Sequence, residues 1–159
     1  MIPRIRLAAS VQDMEHAREL MRNYARWIEI DLCFQNFEAE LAALPGKYSA
    51  PEGGLWLADM QHTTGPVGVV AVRALADSAC ELKRLWVEPQ AKGAGLGCAL
   101  AQTSIAFART AGYTNMKLDM LKNRMPAAIA LYRSLGFVDA GPYTHNPEPD
   151  ALFMTLRLS

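Results

Sequence analysis

Residues 85–98 read Leu85-Trp86-Val87-Glu88-Pro89-Gln90-Ala91-Lys92-Gly93-Ala94-Gly95-Leu96-Gly97-Cys98, a short apolar strand that passes through a glycine-rich turn into the start of a helix. Glycine lets the backbone of such a turn approach a ligand closely, and the first amides of the following helix lack intrahelical partners. The positive end of the helix dipole points the same way, so the segment suits an anionic group such as a phosphate. Two common phosphate motifs do not fit. A mononucleotide loop needs GxxxxGK[ST], and no lysine followed by Ser or Thr stands after these glycines. The dinucleotide fingerprint GxGxxG/A fails at its last position, because Gly93-Ala94-Gly95-Leu96-Gly97-Cys98 ends in cysteine, although Asp119 follows at about the distance of a ribose-binding carboxylate.

Working outward, the pattern predicts a first strand over 4–8 and a helix over 11–30. Ser10 is its N-cap, and Met14, Ala17, Leu20, Met21, Tyr24 and Ile28 form one apolar stripe. A short helix over 37–44 ends at Pro45-Gly46. Three short, partly β-branched runs divided by turn residues, 54–60, 67–75 and 79–87, read as an antiparallel meander. The spacing predicts helix again over 93–111, strand over 115–121, and helix over 126–135 with Pro126 in its first turn. Strands over 137–140 and 152–158 close the chain. The order β-α-α-β-β-β-α-β-α-β-β is a mixed α/β architecture, read as one domain over 1–159 without repeat or linker.

The 159 residues carry 16 basic and 16 acidic side chains, a net charge of zero that lacks the electrostatic footprint of a nucleic-acid or anionic-membrane binder. Apolar runs are too short to span a bilayer and no leader pattern opens the chain, so a cytoplasmic protein is expected. Cys33, Cys80 and Cys98 are widely spaced, as are His16, His62 and His145, and neither set has the spacing of a disulfide framework or a metal site; no metal is expected.

The run Gln90-Ala91-Lys92-Gly93-Ala94-Gly95 matches the Q/R-x-x-G-x-G/A signature of the GCN5-related N-acetyltransferase (GNAT) superfamily. Ala127-Ala128-Ile129-Ala130-Leu131-Tyr132-Arg133-Ser134-Leu135-Gly136-Phe137 resembles its A-x-x-L-Y-x-x-L-G-F segment. The resemblance covers nearly the whole chain and implies the GNAT fold, with a mostly antiparallel central sheet flanked by helices and two splayed strands. It implies acetyl-coenzyme A (acetyl-CoA) as co-substrate, its pyrophosphate on the amides of Lys92, Gly93, Ala94, Gly95, Leu96 and Gly97. Its pantetheine arm would lie beside Leu85, Trp86 and Val87, with the thioester between that strand and the one ending at Met120. Asn123, Tyr132 and Arg133 match positions on the far side of the cofactor, and the Lys92 side chain is either a partner of its phosphates or a solvated loop cation.

Acetyl transfer needs an acceptor amine with a free lone pair and a proton for the departing thiolate, hence a base and an acid. Glu81 is the expected base. It lies in an apolar strand, where burial favours proton uptake, at the offset before the glycine loop that carries a basic glutamate in several superfamily members. Pairing with Lys83 or Arg84, or a place on the solvent face, are its structural alternatives. Tyr132 occupies the family position whose hydroxyl reaches the coenzyme sulfur and is the expected acid; its alternative is a core tyrosine packed by Leu131 and Leu135. A thiol nucleophile at Cys98 lacks a histidine nearby in sequence. An acyl-CoA-binding regulatory domain is a further alternative.

The acceptor is expected to be a small-molecule amine, with a protein N-terminus or lysine as second choice. Tyr24, Trp27, Asp31, Phe34 and Phe37 at one end, and Tyr143-Thr144-His145-Asn146-Pro147 at the other, are the candidate surroundings. Arg22 or Arg84 would hold a carboxylate, and His145 would relay a proton if it faced the site. Family members often pair as homodimers, but no residue here establishes an interface.

Overall fold

A computed structural model describes residues 3–29 and 36–159. Strand β1 (Arg4–Leu7) leads into α1 (Val11–Ile28), α2 (Phe37–Ala42), β2 (Gly54–Asp59), β3 (Gly68–Ala74) and β4 (Ala79–Val87). Then follow α3 (Leu96–Thr110), β5 (Asn115–Leu121), α4 (Pro126–Ser134), β6 (Val138–Ala140) and β7 (Ala151–Arg157). The element order matches the sequence expectation. The chief shift is at α3, which begins at Leu96 rather than in the glycines. Asp31, Phe34 and Cys33 lie outside the described residues.

Ser10 caps α1 as its residue type predicts. Its hydroxyl accepts from the Asp13 amide at 3.0 Å, and Asp13 accepts from the Ser10 amide at 3.2 Å, a reciprocal capping box. Burial works against the charged form of Asp13, yet the Ala9 and Ser10 amides and the Arg6 guanidinium outweigh it and hold the carboxyl at about 2.

The seven strands form one sheet in the order β1-β2-β3-β4-β5-β7-β6. Every neighbouring pair is antiparallel except β4 and β5. One face buries the apolar stripe of α1 and α2, including Leu20, Met21 and Leu41, against Leu55, Leu57 and Val69. The other buries Leu96, Leu100 and Ile105 of α3 and Ile129 of α4 against Val70, Leu82 and Leu118. Alternation along β3 produces this two-sided core, since Val69 and Ala71 face one layer while Val70 and Val72 face the other.

The break between β4 and β5 positions the site. The two strands pair in parallel only at Ala79↔Asn115, Cys80↔Met116 and Glu81↔Lys117, whereas β5 goes on pairing with β7 as far as Leu121. On the other side of β4 the register with β3 slips by one residue between Lys83↔Ala71 and Trp86↔Val69, a β-bulge. Arg84 sits in the bulge with φ of 61°, and its guanidinium grips the Glu40 carboxylate of α2 through two bonds of 2.9 Å. The bulge bends β4 away from β5, and from Leu82 onward the β5-facing edge of β4 has no strand beside it.

Candidate active site

The strand–loop–helix segment folds as its sequence dictates. Gly93 and Gly95 take φ of 90° and 79°, and Gly95 is the left-handed N-cap of α3, which no side chain caps. A Cβ built on either glycine meets nothing within 4 Å, so the space over the loop is open. The first amides of α3 point into that space.

A groove of about 500 Å³ runs from this loop between β4 and α4. Leu85, Trp86, Val87, Lys92, Gly93, Gly95, Leu96 and Gly97 line it, as do Trp27, Arg124, Ala128 and Leu131. A smaller cavity of about 80 Å³ lies deeper, in the opening between β4 and β5, bordered by Leu82, Lys83, Leu118, Asp119, Tyr132 and Asn146. Tyr24, Leu85, Met125 and Ala128 border both, so the groove leads inward from the helix N-terminus to Tyr132.

Not every expected residue is there. Ala94 is exposed and not among the groove's lining residues. Arg133 lies one residue round the helix from Tyr132, faces solvent, and pairs with Asp139 at 3.1 Å. Asn123 stands beside a separate hollow with Glu148 and Asp150, its amide held by Asp150 at 3.1 Å. Arg124, its neighbour, borders both that hollow and the groove and donates to the Ile28 carbonyl at the end of α1.

Lys92 lies over two indole rings, 5.3 Å from the centroid of Trp27 and 5.4 Å from that of Trp86. These contacts hold its ammonium at the groove as a cation–π partner. Lys92 and Arg124 are thus two cations beside an open row of amides, a donor set suited to a diphosphate.

Glu81 is 1% exposed. Its Oε1 accepts from Arg73 Nε at 2.6 Å and its Oε2 accepts from the Tyr143 hydroxyl at 2.5 Å. Its ion-pair partner is therefore the cross-strand Arg73, not Lys83 or Arg84. Tyr132 packs edge-on against Phe137 with centroids 5.4 Å apart, and burial pushes its phenol above the ordinary value, so it keeps its proton. Among the described residues its hydroxyl has no hydrogen-bond partner, and the residue borders the inner cavity. Burial also pushes the Tyr24 phenol up to about 12.

Neither arginine expected to hold a carboxylate is available in that role. Arg84 is committed to Glu40 with its guanidinium 5.0 Å from the Phe37 centroid, and Arg22 lies at the surface, 3.8 Å from Glu38. Lys83 borders the inner cavity; burial, with the nearby Arg84 charge, brings its ammonium down to about 8. Phe37 is core rather than pocket, and Trp27 faces the groove rather than the acceptor end. His145 and Cys98 border neither cavity, and burial pushes the Cys80 thiol up to about 12, the wrong direction for a nucleophile. Among the described residues no cluster of three or more His, Cys, Asp or Glu is placed to hold a metal, and no helix is long and apolar enough to cross a membrane.

Comparison with known proteins agrees with this geometry. The model of the acetyltransferase (GNAT) family matches residues 14–137. An uncharacterized N-acetyltransferase of Schizosaccharomyces pombe is 38% identical over 149 residues, covering 93% of this chain and 90% of that one. A GNAT acetyltransferase from Staphylococcus aureus Mu50 superposes with a TM-score of 0.82 at 19% identity, over 99% of this chain and 100% of that one. A phosphinothricin acetyltransferase from Sinorhizobium meliloti, solved in complex with acetyl-CoA, superposes with a TM-score of 0.72 at 19% identity, over 99% and 89% of the two chains.

Proposed function

The chain belongs to the GNAT family of acetyltransferases and is an acyltransferase, and from that premise we propose that it moves the acetyl group of acetyl-CoA to the primary amine of a small metabolite. Supporting this reading is the continuity of the groove. It begins at unpartnered helix amides flanked by Lys92 and Arg124, passes the free edge of β4, and ends in a cavity bordered by a protonated tyrosine. Acetyl-CoA supplies the activated acyl group as a thioester. The amides of residues 92–97 hold its pyrophosphate, and the exposed edge of Leu85 to Val87 takes the pantetheine amides as a neighbouring strand would.

Tyr132 borders the inner cavity and Glu81 stands behind its lining, and each side chain has a distinct task. The acceptor attacks as the neutral amine, since an ammonium has no lone pair to attack with, and Glu81 takes up the proton that the nitrogen sheds as its bond to carbon forms. Tyr132 donates its phenolic proton to the sulfur as the carbon–sulfur bond breaks. Low exposure keeps water from competing with the amine. The small volume of the inner cavity favours a slender amine.

The test is a thiol-release assay with acetyl-CoA against a panel of small amines, amino acids and peptides, with product masses. We expect release with a small amine and a product heavier by one acetyl group. Acetyl-CoA binding with no release above background across the panel would favour a regulatory binding domain, and release confined to peptides would favour a protein acceptor. Replacing Tyr132 with Phe is expected to lower kcat about 100-fold, the scale of one general acid. Acetyl-CoA affinity should stay within about threefold, because the ring contact with Phe137 survives. An unchanged kcat would remove Tyr132 from the mechanism.

A further inference from the structure

Glu81 is enclosed in a way that an acceptor amine has to overcome. Only 1% of the residue is exposed, one carboxylate oxygen is taken by Arg73 and the other by the Tyr143 hydroxyl. Tyr143 is only half-buried, and it reaches Glu81 from the connection between β6 and β7. Its ring is fixed from two sides, edge-on to Phe153 with centroids 5.8 Å apart and beneath Lys117 Nζ at 5.7 Å. Three residues further on, Asn146 borders the inner cavity and donates to Asp119 at 3.0 Å; Tyr143 and Glu81 are not among that cavity's lining residues, so the acceptor reaches the phenol past Asn146.

We propose that Tyr143 is a catalytic residue, a phenol that carries the acceptor's proton to the enclosed Glu81. The inference deepens the preceding reading and rests on Glu81 being the base. At the moment of transfer the N–H bond of the acceptor breaks and a new O–H bond forms on the Tyr143 oxygen, the N–H electron pair staying on nitrogen. The phenol's original proton passes at once along the 2.5 Å contact to Glu81 Oε2. Tyr143 ends neutral, Glu81 ends protonated, and one proton has moved from nitrogen to carboxylate. Burial and the adjacent Glu81 charge both disfavour a phenolate, which keeps the relay loaded between turnovers. The Arg73 pair orients the carboxylate so that its other oxygen faces the phenol.

The experiment compares the wild-type chain with Tyr143→Phe, Glu81→Gln and the double variant, using acetyl-CoA and the best amine from the panel. Tyr143→Phe keeps the ring contacts and removes only the relay oxygen. Expected are a kcat about tenfold or more lower, KM values within about threefold, a Tm lower by a few degrees because a buried carboxylate oxygen loses its hydrogen bond, and a smaller solvent deuterium isotope effect. The double variant should be no slower than Glu81→Gln alone, because both changes interrupt one path. An unchanged or higher kcat in Tyr143→Phe, a loss confined to KM, or losses that multiply in the double variant would overturn the relay. A fully active Glu81→Gln would instead overturn the reading of Glu81 as base, and the relay with it.

Discussion

Replacing Gly95 with Val is expected to weaken acetyl-CoA binding by about 100-fold or more, a loss near 3 kcal/mol, while leaving the fold intact. Gly95 is the N-cap of α3 at φ of 79°, a left-handed conformation that costs a side-chain-bearing residue about 1–2 kcal/mol. A valine there either pays that strain or shifts the loop, which misdirects the amides of Leu96 and Gly97. Its methyl groups would also enter the space that a diphosphate needs, since nothing in the protein fills it. No packed neighbour is displaced, so the fall in Tm should not exceed what that backbone strain produces, about 2–8 °C. Quenching of tryptophan fluorescence on titration with acetyl-CoA is a direct readout, as Trp27 and Trp86 both border the groove. An affinity within threefold of wild type would place the pyrophosphate elsewhere.

Arg84→Met is expected to be the most damaging single change to stability, at about 3 kcal/mol, because it strands a buried carboxylate. Burial opposes the charged form of Glu40, but the Arg84 hydrogen bonds and charge, the Tyr48 hydroxyl at 2.8 Å and Lys47 at 3.3 Å together hold it at about 2. The Glu40 carboxyl lies below its unfolded value of 4.5, so its contribution is complete above that pH and is lost as the pH falls through about 2. In the variant Glu40 protonates more readily, and the stability deficit should therefore be largest near neutral pH and shrink on acidification. Denaturant titrations at pH 7 and pH 3 check both the size and the sign. Because the same guanidinium pins the bulge that parts β4 from β5, acetyl-CoA affinity should fall too. A variant as stable as wild type at neutral pH would show that the pair carries no net energy.

Much of the fold was legible because local signals agreed with one another. Ser10 before a 3.6-residue stripe marked α1, the glycines marked the turn into α3 but not its first residue, and Pro126 and Gly136 bracketed α4. The splay of β4 from β5 had no such marker. It depends on a bulge at Arg84, a residue type that seldom takes a positive φ, and on a guanidinium that finds its partner 44 residues away in α2.

The candidate site was legible in part for the same reason. The glycine loop and Tyr132 announced themselves through motifs, but the partners of Glu81 did not. Arg73 is eight residues away across a hairpin, readable only once the register Arg73↔Glu81 is known, and Tyr143 is 62 residues away in a loop. Sequence neighbours misled at both ends. Arg133 follows Tyr132 but turns about a quarter of the way round the helix to solvent, whereas Leu131 and Ala128 share the groove. Asn123 matched a family position, yet the side chain that faces the groove is Arg124.

The most direct test of the account is the single-turnover rate of acetyl transfer in Glu81→Gln against wild type, at saturating acetyl-CoA and with the best amine. The account predicts a loss of about 100-fold or more with acetyl-CoA affinity retained, the signature of a missing base in an otherwise assembled site. Equal rates in the two proteins would contradict it.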